Sequence, residues 1–307
     1  MSILNLLPIY RITVSHGGNL NLKTTTYEPT TMVVRSPTYH ISRLWNDELN
    51  KHRIKKILRR KIYGQWRFLR QCIKYMNIMV NKHSSDHEIY TWFHQICDTH
   101  TYFEEKTYNR ALSRLNDIKR FIIYHDNYLD IGCLDGTITR NIHEYLQTKN
   151  PCAKTVGIDV NDVIESDMNG CRILKYDGNK IPFEDNTFDL ITLFMVLHHV
   201  EHVTEYLKEV YRVMCPGGSL IIREHDINNQ DIKDMVDIQH NFYNMDSAET
   251  MPTHQYKSKE QWNNILNATG FTLVSVPVDC SSYLERTDKN IITIRNPFQI
   301  FYSVYVK

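Results

Sequence analysis

Four ionisable residues in a row, Arg223-Glu224-His225-Asp226, follow the apolar run at 219–222. Such a row would need strong pairing if it were buried. It is therefore expected to line a polar cleft at a strand end, with Glu224 or His225 as a base or substrate-orienting group. A solvated strand end, with Arg223 paired to a neighbouring carboxylate, is the plain alternative. Upstream, His198, His199 and His202 stand close together. The i, i+4 pair His198 and His202 has the spacing to share a metal ion. There is no HExxH pattern and no evident third ligand, so no metal is expected. His198 or His199 is instead read as part of the active-site wall, with His198 a third candidate catalytic residue. His240 and Tyr243, three apart in DIQHNFY, fall on one face of a helix expected to cover the site. They are candidate substrate contacts, with core packing an equal reading for Tyr243.

A second group of residues is arranged to hold a ligand rather than to react. The run YLDIGCLDG at 128–136 reads as a strand entering a glycine turn and then a helix, which gathers backbone N–H groups and a helix N-terminus around a ligand. Asp159 ends the next strand, where a carboxylate can grip two ribose hydroxyls. Asp177-Gly178 ends the third, where a carboxylate can accept from an adenine amine. Then come IPFEDNTFDLITLFMVLHHV at 181–200 and LKEVYRVMCPGG at 207–218.

In this order the motifs from Leu129 to about Glu224 resemble class I S-adenosylmethionine-dependent methyltransferases. The likeness is to the broad group with DIGCGxG, an acidic residue after the second strand, LPFxDxxFD, LHH and RxLxPGG. The resemblance implies S-adenosylmethionine as cofactor. It implies that Asp130, Gly132, Cys133 and Gly136 shape the pocket for its methionine end, that Asp159 binds ribose, and that Asp177 and Gly178 face adenine. Phe194, with Met195, would flank the cofactor. One departure matters: Leu134 stands where the group has its middle glycine, a position that favours positive φ. It keeps open a catalytically weak pseudo-methyltransferase that serves as a nucleic-acid-binding or activating subunit. A nicotinamide-binding domain fits less well, because the IPF, LHH and PGG segments have no task there.

The elements that must position these residues fall into three zones. Strand-like runs at 10–15 and 20–27 flank the turn at 16–19 and predict a hairpin, with a third β-branched run at 30–34. From 40 to about 123 the apolar spacing is helical, with Ile54, Ile57 and Leu58 among basic residues and Ser84-Ser85-Asp86 as a helix start. From Tyr124 strands and helices alternate, ending in strands at 271–278 and 300–306, with Ser258 to Gly270 a capped helix. This predicts an α/β, doubly wound, seven-stranded, mostly parallel sheet of Rossmann-like methyltransferase type. The expected domains are an N-terminal extension at 1–123 and a methyltransferase domain at 124–307.

Composition excludes several classes. The chain has 307 residues, 42% hydrophobic and 23% charged, which rules out a disordered or fibrous protein. The longest apolar run, at 190–197, is too short to span a bilayer. No basic leader precedes an apolar core, so no signal peptide is expected. Seven cysteines without a CxxC pair predict a reducing, cytoplasmic setting. The wealth of Asn, Ile and Lys is compatible with an AT-rich, viral genome.

Net charge is +1, from 36 Lys+Arg and 35 Asp+Glu, but it is unevenly spread. Between Lys51 and Lys82 stand eleven basic residues and no acidic one. Lys55/Arg59 and Lys56/Arg60 stack at i, i+4 beside aromatics, a pattern suited to phosphates and unpaired bases. These four are candidate substrate-binding residues and RNA the expected partner. A basic face docked on an acidic domain and an anionic membrane surface are the alternatives. The motifs themselves serve a small-molecule acceptor equally well.

Overall fold

A computed structural model describes residues 41–61, 66–96, 104–162, 165–243, 254–275 and 300–307. The expected hairpin and the run at 30–34 lie outside these. The chain divides into two compact units: residues 1–98 with 237–253, and residues 99–236 with 254–307.

In the first unit, α1 (Ile41–Trp45), α2 (Glu48–Lys61), α3 (Trp66–Asn81) and α4 (Asp86–Ile96) follow one another. Helical spacing buries Ile54, Ile57 and Leu58 of α2 and Leu69, Cys72, Met76 and Val80 of α3. Ser85 starts α4 as anticipated. Its hydroxyl accepts the Glu88 N–H while Glu88 accepts the Ser85 N–H, a reciprocal cap. Asp86 also accepts the Ile41 N–H at 2.7 Å, joining α1 to α4. Tyr90 and Phe93 meet Phe242 edge-on at 4.8 and 4.7 Å.

The second unit opens with α5 (Glu104–Ile118), which precedes the expected boundary at 124, and a short 3-10 turn (Lys119–Phe121). Then follow β1 (Asn127–Ile131), α6 (Thr137–Gln147), β2 (Lys154–Asp159), β3 (Ser166–Met168), β4 (Cys171–Lys175) and β5 (Phe188–Phe194). After α7 (Val203–Val213) come β6 (Met214–His225), α8 (Gln230–Tyr243), α9 (Lys259–Thr269), β7 (Thr272–Ser275) and β8 (Ile300–Val306). Helix α8 runs on into residues of the first unit.

The sheet order is β3-β4-β2-β1-β5-β6-β8-β7. The five central strands are parallel, β3 and β8 run antiparallel to them, and β7, antiparallel to β8, runs in their direction again. The expected sheet of seven strands thus has eight. The added strand, β3, turns back on β4 through Asn169-Gly170, both at positive φ, a two-residue hairpin.

Alternating side chains sort the strands onto two cores. Leu129, Ile158, Ile191, Leu193 and Ile222 pack with Leu207, Val210 and Trp262 on the α7–α9 face. Tyr128, Leu190, Ile221 and Val304 pack with Ile118, Ile142 and Leu146 on the α5–α6 face. Strand order reverses at β1 and β5, so the crevice beyond their C-terminal ends is where a doubly wound sheet takes a ligand.

Candidate active site

The glycine turn lies at that switch point. Gly132 (φ 78) and Gly136 (φ 72) are left-handed, and Gly136 stands at the N-cap of α6. A Cβ on Gly132 would come within 2.4 Å of Val196 Cγ2, and one on Gly136 within 2.8 Å of Ile173 Cδ1. Both positions are closed to larger residues by shape as well as by φ. Leu134 takes the same left-handed turn at φ 50. Its side chain is exposed, and its N–H donates to Asp159 Oδ2 at 2.8 Å. The leucine therefore accepts the backbone a glycine would have taken and leaves the turn open.

Asp130 lies beneath this turn, buried. Thr139 Oγ1 donates to its Oδ2 at 2.6 Å and Thr192 Oγ1 to its Oδ1 at 2.7 Å. Burial pushes its carboxyl up to about 6, against the pull of the two hydroxyls. It ties β1 to α6 and β5 and so fixes the turn from below. Cys133 is buried and its thiol is pushed far up by desolvation, which makes it a wall rather than a nucleophile.

Asp159 ends β2, buried, with Oδ1 accepting the backbone N–H of Asn161 at 2.9 Å and its side-chain amide at 2.8 Å. The carboxylate thus joins the glycine turn to the end of β2. Asp177 is exposed, and its Oδ1 caps the N–H groups of Asn179 and Lys180. Gly178 (φ 80) lies so near Val160 that a Cβ would stand 2.8 Å from Cγ1. Half-buried Phe194 at the end of β5 packs edge-on against Tyr302, centroids 5.9 Å apart. Met195 follows at φ 65, its N–H held by the Arg223 carbonyl at 2.7 Å. Left-handed non-glycine residues thus mark both strand ends of the switch point.

Arg223, Glu224 and His225 are buried rather than set along an open cleft. The reason is that β6 continues to His225, paired with β8 through Glu224↔Phe301 and His225↔Ile300. Arg223 lies over the Tyr302 ring at 5.7 Å. Glu224 Oε1 accepts the Leu197 N–H at 2.8 Å, and Oε2 meets His198 Nδ1 at 2.7 Å and the His225 N–H at 3.3 Å. Burial pushes the Glu224 carboxyl up and the His198 imidazole down. With N–H donors on both oxygens, the favoured pairing is an ionised Glu224 and a neutral His198 donating from Nδ1. Glu224 then fixes the tautomer that leaves Nε2 as the basic nitrogen.

Around His198 stand the rings of His199 at 4.1 Å, His225 at 5.3 Å and His254 at 5.7 Å, with Tyr256 stacked at 6.0 Å. The backbone N–H of Gln255 donates to the His198 carbonyl at 2.7 Å, pinning this segment over it. His202 is exposed at the start of α7, apart from this group. Sequence reasoning missed His254 and Tyr256, which come from a loop without periodicity. It also missed Asn161, whose signal was the Asp-x-Asn pattern after β2.

The candidate substrate residues fall in the first unit. Lys55 and Lys56 are half-buried, and Lys55 lies 6.0 Å over Trp45. Arg59 is exposed and lies 4.6 Å over Trp66. Arg60 belongs to α2 and Tyr243 to the end of α8, with side chains outside the described set. His240 is half-buried on α8. Among the described residues no helix is long and apolar enough to cross a membrane.

A family model described as a methyltransferase domain matches residues 92–276. An uncharacterised methyltransferase of Schizosaccharomyces pombe is 28% identical over 123 residues, 35% of this chain and 43% of that protein. The ubiquinone/menaquinone biosynthesis C-methyltransferase UbiE of Ectopseudomonas mendocina is 30% identical over 106 residues, 31% of this chain and 40% of that protein. The chain thus spans less than half the length of these curated relatives. Among solved structures, a SAM-dependent methyltransferase from Aquifex aeolicus matches with a TM-score of 0.43 at 19% identity, covering 66% of this chain and 98% of that one. With the family model spanning more than half its length, the chain belongs to the methyltransferase-domain family.

Proposed function

We propose that the protein is an S-adenosylmethionine-dependent methyltransferase whose acceptor is a nucleic acid. The observation that carries the cofactor reading is the buried Asp159 carboxylate, fastened to the N–H of Leu134 in the glycine turn. This contact supports reading Asp159 as the acceptor for ribose hydroxyls beside a left-handed, open backbone turn. Asp130, Gly132, Cys133 and Gly136 form the turn and its floor, Asp177 and Gly178 the adenine end, and Phe194 a flank. When bound, S-adenosylmethionine supplies an electrophilic methyl group on sulfur.

The chain's own work is then to bring the acceptor in line and, where that atom carries a proton, to take it. The hydrogen bond between Glu224 and His198 supports giving them the second task, with His225 beside them. The exposed side chain of Leu134 supports the catalytic reading over the pseudo-methyltransferase. Calorimetry with S-adenosylmethionine tests it. Binding that Asp159→Ala weakens at least tenfold is expected, and folded wild-type protein that takes up no ligand at millimolar concentration ends the proposal.

The acceptor reading is supported by the eleven basic residues between Lys51 and Lys82. Salt-dependent retention of RNA is expected, and its absence at low salt removes this part. A small-molecule acceptor is the second reading, favoured by UbiE, named for quinone biosynthesis. Transfer of labelled methyl to RNA, against transfer to a quinone precursor, separates the two.

A further inference from the structure

We infer that the outward face of α3 is the docking surface for a single-stranded nucleic acid, an inference that rests on the nucleic-acid reading above. Helix α3 contains no Asp or Glu. Burial of Leu69, Cys72, Met76 and Val80 turns Trp66, Arg67, Arg70, Lys74 and Tyr75 outward, all exposed. The spacing of these cations follows one side of a helix, so Arg67 and Lys74 stand about 10 Å apart along its axis. Trp66 is 58% and Tyr75 51% exposed, large aromatic faces beside the row of charge. Arg59 of α2 lies over Trp66, adding a fourth cation at that end.

The expected stripe on α2 is less available. Lys51 pairs with Glu48 at 3.0 Å, and both Lys51 and Lys55 lie against Trp45. Among the described residues no ion pair involves Arg67, Arg70 or Lys74. Cations that track phosphates, beside aromatic faces that stack on bases, suit an unpaired strand. A membrane surface fits worse, because the apolar side of α3 is already spent in the core of the first unit.

The test uses the full-length protein and a fluorescein-labelled mixed-sequence 12-nucleotide RNA, with anisotropy followed from about 50 to 300 mM KCl. The triple variant Arg67→Gln/Arg70→Gln/Lys74→Gln should bind at least tenfold more weakly at 100 mM salt. Its slope of log affinity against log salt should be shallower by about 2, three phosphates at about 0.7 each. Trp66→Ala/Tyr75→Ala should weaken the single strand at an unchanged slope, with melting temperatures near wild type for both variants. Wild-type affinity in the triple variant overturns the inference and leaves the nucleic-acid reading standing, as does equal loss from Lys55→Gln/Lys56→Gln alone. Stronger binding of a duplex, or capture by phosphatidylserine vesicles but not by RNA, overturns it too. No RNA binding at 50 mM KCl, with S-adenosylmethionine still bound, removes the acceptor reading along with it.

Discussion

Leu134 holds a conformation that costs an L-residue roughly 1–2 kcal/mol, yet its side chain is exposed and does nothing to offset that cost. Leu134→Gly should stabilise the protein by about 1 kcal/mol, somewhat reduced by the extra freedom glycine gives the unfolded chain. In a chain of this size that is a rise of about 2 °C in calorimetric melting. Affinity for S-adenosylmethionine should change less than threefold, because the anchor is the backbone N–H on Asp159 and glycine keeps it. A fall in melting temperature would show that the leucine side chain is held by something it touches. Glu224 makes the opposite case. Glu224→Gln keeps the shape but loses the charge that fixes His198, and a buried N–H donor left facing the new amide N–H costs about 1–3 kcal/mol. We expect earlier urea unfolding and a turnover number down by about 100-fold, with cofactor affinity within threefold of wild type. Unchanged turnover would leave Glu224 a structural clasp for the Leu197 turn and nothing more.

Among the elements, the loop between β1 and α6 is held by contact as well as by conformation. Gly132→Ala brings a Cβ onto Val196 Cγ2 and also forces a left-handed alanine. Gly170→Ala, in the β3–β4 hairpin at φ 83, meets nothing closer than 3.7 Å and pays for backbone alone. Gly132→Ala should therefore destabilise by about 1–2 kcal/mol more than Gly170→Ala. The double variant Gly132→Ala/Val196→Ala should recover part of that difference, read in urea melts as a coupling energy. No coupling would mean that Val196 is not what closes the turn.

The same elements show where the sequence was legible. Strands β1 and β2 are short runs that stop at Gly132 and Asp159, β5 lies in a longer apolar run, and α9 carries its Ser258–Gln261 cap and Gly270 stop in plain view. These are local signals. Strand β3 is three polar or exposed residues, visible only through the Asn169-Gly170 turn that follows. The burial of Arg223 to His225 depends on β8, some 75 residues later in the chain, and no local pattern announces such a pairing. The spacing of Lys55/Arg59 and Lys56/Arg60 predicts a stripe but not its cover, because Trp45, which lies under Lys55, is on another helix.

At the scale of the molecule, the buried ionisable groups compete over the direction in which pH moves stability. His254 is pushed down to about 4 by burial and then by Lys233, and His198 and His125 are also lowered by burial. Each of these binds a proton in the unfolded chain below about 6.5 that it refuses in the fold, so each adds stability as pH rises through that window. Asp130 works the other way. Its folded value near 6 lies above the unfolded 3.8, so the fold binds the extra proton, and stability falls as pH rises from about 4 to 6. Glu224, raised by burial, acts in the same direction. His199 is likewise pushed down to about 4, by burial and then by His254, so four histidines oppose two carboxyls, and hydroxyl or amide donors restrain the shift of both carboxyls. The melting temperature should therefore climb between pH 4 and 6.5 and level off above it. His254→Asn should flatten that climb, since it removes one of the protons taken up on unfolding. Asp130→Asn should steepen it, since it removes a proton released, even while the lost charge on Thr139 and Thr192 lowers the curve as a whole. Differential scanning calorimetry across this range decides the matter: a melting temperature that falls from pH 4 to 6.5 would mean that the carboxyls, not the histidines, carry the larger shifts.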